Sequence, residues 1–176
     1  MDEVVEGSII GFAGGDAVSV AINLGTWGIP FWSVAHCGIV ANYQQQPYLF
    51  HSEVRNPAPC AIRKQSALGT RADYLAYILQ QRGVVWHYKL RRPADLSSLA
   101  SFLVNELGRP YDVIGAITTG QLHTENLDAI FCSEWVAAAL RQVHLFPVDD
   151  AGAWNPNDLL RTLVKMGIYY KPIRLK

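Results

Sequence analysis

The chain has 176 residues, half of them hydrophobic and 17% charged, with fifteen basic side chains balancing fifteen acidic ones. Such a length with so much apolar material predicts one packed domain over residues 1–176 that needs no staples. Balanced charge gives no net field to attract a polyanion, so nucleic acid is not an expected partner.

The chain opens Met1-Asp2-Glu3, acidic where a secretory leader is basic, and three cysteines make an odd number. Both features predict reduced thiols and a cytoplasmic protein. The most apolar stretch, Ala17 to Val40, is interrupted by Asn23, Gly25, Gly28, Pro30 and His36, so no stable membrane insertion is expected.

Gly7 to Phe12 reads as a strand, and Asp16 is an N-cap for a helix to about Leu24. His36 to Tyr43 and Tyr48 to Val54 have strand character across a turn at Gln44 to Pro47, which predicts a hairpin. Arg55 to Leu68, with Pro57 and Pro59, reads as irregular, and Ala72 to Gln81 as a helix stopped by Gly83. Val84 to Leu90 alternates like a strand. Ala94 to Leu107 is an amphipathic helix, with Gly108 as its C′ residue. A short helix from Asp112 to Thr118 and a polar loop to Asp128 precede the most apolar helix, Ser133 to Val143. Asn155-Pro156-Asn157-Asp158 opens a last helix to about Met166, and Ile168 to Leu175 ends the chain as a strand interrupted at Pro172.

Cys132 falls at the start of the apolar helix. A thiol there is a candidate nucleophile, because the first-turn amides and the helix dipole stabilise thiolate, and the same amides can stabilise an oxyanion. Its base must be one of five histidines. His36 is best placed, since it opens a strand and is followed by Cys37 and Gly38, where small residues let a backbone or a substrate approach closely. His144 lies three turns along the helix of Cys132, and His87 sits within a core strand, so both read as structural.

If paired residues in the hairpin sum to an odd number near 89 or 91, Glu53 shares a face with His36 and can orient its imidazole; an even register sends it to the other face. His51 has the parity of Glu53 and is its rival for that role. Tyr111 reads as an aromatic plug beside an N-cap, Asp112. Glu134 is turned about 200° around the helix from Cys132 and reads as a partner of the helix dipole. Lys89, Arg91 and Arg92 read as solvated surface.

In order along the chain, Gly7-Ser8-Ile9-Ile10-Gly11-Phe12, His36-Cys37-Gly38-Ile39-Val40, Glu53, Leu107-Gly108-Arg109-Pro110-Tyr111-Asp112 and Phe131-Cys132-Ser133-Glu134-Trp135-Val136 resemble the YiiX-type branch of the NlpC-like peptidase superfamily. The resemblance runs from Gly7 to the Asn155–Leu160 segment. It implies an α+β fold of circularly permuted papain-like type, with a small antiparallel sheet packed against helices and the nucleophile at a helix N-terminus. It also implies Cys132 as nucleophile, His36 as base, Glu53 as the polar third residue and Tyr111 beside the site. Ser8, where an aspartate is usual, and Cys37, in place of an aliphatic residue, depart from that pattern.

The activity so implied is hydrolysis of amide bonds, peptide or isopeptide-like, through a thioacyl-enzyme, on a small-molecule, peptide or lipid substrate and with no cofactor. One alternative is a lipid ester hydrolase or acyltransferase resembling the lecithin retinol acyltransferase group, whose Asn-Cys-Glu-His helix start this chain lacks. Another is a non-catalytic binding module on the same fold. No metal is expected, because Cys-x-x-Cys and His-x-x-x-His spacings are absent; a zinc site would have to combine Cys37 or Cys60 with His36 or His51.

Overall fold

The computed structural model describes residues 4–13, 34–54, 58–65, 68–81, 83–118 and 128–175. Six strands, β1 (Ile9–Ala13), β2 (His36–Tyr43), β3 (Gln46–Glu53), β4 (Gly69–Tyr74), β5 (Val84–Tyr88) and β6 (Ile173–Arg174), form one sheet in the order β4-β3-β2-β1-β5-β6. Every neighbouring pair is antiparallel. The described helices are α1 (Leu75–Gln81), α2 (Leu96–Asn105), α3 (Val113–Thr118), α4 (Cys132–Gln142) and α5 (Pro156–Lys165). The fold is therefore α+β. The helix expected from Asp16 to Leu24, and His123, lie outside the described residues.

The hairpin forms where expected and is tighter than read. Gln44 and Gln45 take φ of 50° and 63°, and Tyr43 pairs with Gln46 across them. Positive φ at both turn residues matches the twist of the flanking strands, and so short a turn fixes the register. Ile39 pairs with Phe50, which is the odd register with a sum of 89.

The two faces of the sheet have different cores. On one, Ile9, Cys37, Ile39 and Phe50 pack with Cys132, Trp135, Val136 and Leu140 of α4 and with Leu99 and Leu103 of α2. On the other, Ile10, Phe12, Val40, Leu49 and Val85 pack with Leu75 and Ile78 of α1. The expected helix from Ala72 begins later. Gly69 to Tyr74 is instead strand β4, paired with β3 from Tyr48↔Tyr74 to Glu53↔Gly69.

Asp95 caps α2 by accepting from the Ser98 amide at 3.0 Å. The helix ends at a Glu106 C-cap, so Gly108, with φ of 86°, lies one residue past the C′ position expected for it, and its amide donates to the Thr70 carbonyl at 2.9 Å. Asn155 caps α5 through the Asp158 amide at 3.0 Å. The last strand is shorter than expected: only Ile173 and Arg174 pair with β5, and Tyr169 makes a separate bridge to Leu90. Pro172 lies between them and has no N–H to give a ladder. Among the described residues, no helix is long and apolar enough to cross a membrane.

Candidate active site

The segment leading into α4 is tied to the sheet before the helix starts. The Ile130 amide donates to the Pro110 carbonyl at 2.9 Å, and the Ile130 carbonyl accepts from Ser52 Oγ of β3 at 2.7 Å. Phe131, at the N-cap, is extended and offers no side-chain acceptor to the first turn. Glu134 is fully buried and its Oε2 accepts from the Phe131 amide at 3.3 Å, so it closes the helix start rather than facing a substrate. Trp135 meets Phe50 edge-on at 6.3 Å between ring centroids, which seats α4 on the sheet.

Cys132 is therefore the first residue of a helix whose position β3 and Pro110 fix. It is buried, and its sulfur is in hydrogen-bonding contact with the Cys37 thiol, the Cys37 backbone amide and the His36 imidazole. The Cys37 thiol is the largest influence, and with His36 it outweighs burial and holds the Cys132 pKa well below the ordinary thiol range. Cys37 moves the other way. Its hydrogen bond to Cys132, followed by its own burial, pushes it well up. Of the two thiols, Cys132 is the one lowered and Cys37 the one raised. The third thiol, Cys60, is buried elsewhere and accepts from the Ala72 amide at 3.4 Å.

On the opposite side of His36 stands a polar chain. His36 Nε2 lies 2.8 Å from His51 Nδ1, and His51 Nε2 lies 2.9 Å from Asp73 Oδ2. Arg71 grips the same carboxylate twice, Nε to Oδ2 at 2.9 Å and Nη2 to Oδ1 at 2.7 Å. A carboxylate can only accept, so His51 Nε2 carries a proton. The neutral ring then presents Nδ1 as acceptor to an N–H at His36 Nε2. Burial lowers the His51 pKa more than its hydrogen bond to Asp73 raises it, consistent with a neutral ring. Burial works to raise the Asp73 pKa, but the hydrogen bonds from His51 and Arg71 hold it below the usual carboxylate range. With Nε2 of His36 committed to His51, Nδ1 is the ring nitrogen left for Cys132. Phe12 stacks on the His36 ring at 5.7 Å and restricts its rotation.

Carrying the hairpin register three residues beyond Ile39↔Phe50 sets Glu53 opposite His36, on the face that also holds His51. One donor atom each from His36, His51 and Glu53 lie within 4.8 Å of one another, and these are the residues best able to share a cation. Linear spacing does not expose such a group, because its members come from two strands. Glu53 is buried, and its Oε1 accepts from the Val54 amide at 3.1 Å. The His36 ring donates from Nε2 to His51 Nδ1.

Gly38 is buried beneath β3. A Cβ there would come within 2.7 Å of the Phe50 carbonyl oxygen and 2.8 Å of His51 Cβ, so the close neighbours are a backbone and His51. Tyr111 is half-buried, directly after Pro110, whose carbonyl holds Ile130. Asp112 caps α3 by accepting from the Gly115 amide at 2.7 Å. His87 is structural as expected, buried with Nε2 2.9 Å from Ser8 Oγ, and His144 is exposed. Lys89, Arg91 and Arg92 are exposed, with Arg92 donating to the Met166 carbonyl at 2.6 Å. Sequence reading missed Arg71 and Asp73. Their only visible signal is the two-residue spacing of opposite charges, which puts them on one face of a strand.

No family model matches the sequence, and no curated protein matches it. Among solved structures, the fold is similar to the crystal structure of metalloprotein yiiX from Escherichia coli O157:H7 (DUF1105), with a TM-score of 0.62 and 15% identity over 97% of this chain and 96% of that one. At that identity the likeness concerns the fold. It spans nearly the whole of both chains, as the resemblance read from the motif order led us to expect.

Proposed function

We propose that the chain is a cysteine-dependent hydrolase of amide bonds, peptide or isopeptide-like, on a papain-like fold in circularly permuted order. The observation that carries this reading is the placement of one imidazole, His36, between the Cys132 sulfur at a helix start and a second, neutral histidine that is itself anchored on Asp73. A packed core thiol needs no such arrangement. His36 accepts the Cys132 proton on Nδ1 while Nε2–H donates to His51, so the imidazolium is hydrogen-bonded at both nitrogens.

The thiolate then attacks the amide carbonyl, and the first turn of α4 stabilises the developing oxyanion. As the tetrahedral intermediate collapses, the C–N bond breaks and His36 gives its proton to the leaving amine. Water, deprotonated by His36, hydrolyses the thioester and regenerates the thiol. His51 is the positioning residue nearest the base, and Glu53 stands across the strand pair from His36. Tyr111, beside the segment that carries Cys132, is the residue we assign to the substrate side.

The test is a panel of amide, ester and thioester probes on the purified chain and on Cys132→Ser. Amide turnover that disappears in Cys132→Ser is the expected result. Acyl transfer from phospholipid without amide turnover, or turnover that survives the substitution, contradicts the proposal.

A further inference from the structure

We propose that His36, His51 and Glu53 form a binding site for a divalent transition-metal ion, with zinc the best chemical match. Two imidazole nitrogens and a carboxylate oxygen within 4.8 Å of one another make a mixed nitrogen and oxygen donor set of the kind zinc takes. Calcium and magnesium favour oxygen ligands alone. The three side chains converge because the hairpin register puts all of them on one face at one end of β2 and β3. His51 and Glu53 are buried and His36 is half-exposed, so an ion would enter past His36.

The surroundings of His51 make this more than proximity. Its Nε2 is 2.9 Å from the Asp73 carboxylate, which Arg71 grips through two nitrogens, so the proton stays on the outer nitrogen and the Nδ1 lone pair points into the cluster. A carboxylate behind a histidine is the outer layer that orients metal-bound imidazoles. At present that lone pair meets His36 Nε2 at 2.8 Å. An ion would replace this single hydrogen bond, with Glu53 as its third ligand.

Binding itself does not depend on any chemistry of Cys132.

The experiment is a titration of the metal-free, reduced full chain with zinc in competition with a chromophoric chelator. One ion per wild-type chain is expected, with affinity reduced roughly tenfold or more in His51→Ala and Glu53→Gln, and by a similar factor in Asp73→Asn. Cys60→Ala should bind as wild type does. Glu53→Gln is close to isosteric, and its fold can be checked by circular dichroism. Zinc should raise the melting temperature of wild type and not of this variant.

Absence of binding, or a site kept in Glu53→Gln and lost in Cys132→Ser, would overturn the proposal; the latter would show that the ion sits on thiolates. Zinc bound as expected, with a Cys132 that does not react even in the metal-free chain, would uphold the site and sink the hydrolase.

Discussion

The two faces of strand β3 divide the work of the site. On one, Tyr48 and Phe50 pack into the core beneath α4 and Ser52 holds the Ile130 carbonyl, so this face sets where the helix carrying Cys132 begins. On the other, His51 and Glu53 face His36, and β4 adds Arg71 and Asp73 opposite them. One face positions the Cys132 sulfur by packing, and the other holds the His36 ring through His51 and Asp73. Alternation along one strand lets β3 anchor the start of α4 through one face and the His36 ring through the other.

Substitutions that act on one face and spare the other break this division most directly. Asp73→Ala leaves the Arg71 guanidinium buried with its carboxylate gone and should cost about 3–5 kcal/mol of stability by chemical denaturation. Phe50→Ala, on the packing face, should cost about 3–5 kcal/mol by the same measurement, with α4 loosened and the polar chain kept. The two are told apart by whether the His51 ring keeps its tautomer, which nitrogen-15 chemical shifts report.

Gly38→Ala is milder. Its new Cβ meets the Phe50 carbonyl and His51, and overpacking of this kind costs about 1–3 kcal/mol, with a loss of Cys132 reactivity because His51 must shift. The smallest effect is expected for Asn155→Ala, which removes the cap of α5 for about 1 kcal/mol and leaves Cys132 reactivity unchanged, because that helix lies outside the polar chain.

How much of this was legible in the sequence also follows the two faces. The hairpin could be placed because its strands alternate around a turn, and the parity argument linking His36 with Glu53 and His51 needed only an odd register. Cys132 was found through the apolar helix it opens. Strand β4 was not found, for a physical reason. Arg71 and Asp73 look like surface residues, so Thr70-Arg71-Ala72-Asp73 lacks the apolar inward positions that mark a strand between two cores. They are buried because each neutralises the other and because Asp73 has His51 to receive. A pattern reading of hydrophobicity cannot see a charge whose partner arrives from the same strand or the next. The proposed zinc ligands escape linear spacing in a similar way, since His36 on β2 precedes His51 and Glu53 on β3 by fifteen and seventeen positions.

The central claim is that His36 activates Cys132, and Cys60 gives an internal reference because it is as buried but, among the described residues, contacts no imidazole. The deciding measurement is alkylation of the metal-free chain with iodoacetamide at neutral pH, with each labelled thiol located by mass spectrometry. The hydrolase reading predicts that Cys132 is labelled at least roughly tenfold faster than Cys60, and that His36→Ala abolishes the difference while the labelling of Cys60 stays the same. Equal, slow labelling of both thiols in the folded wild-type chain would contradict it.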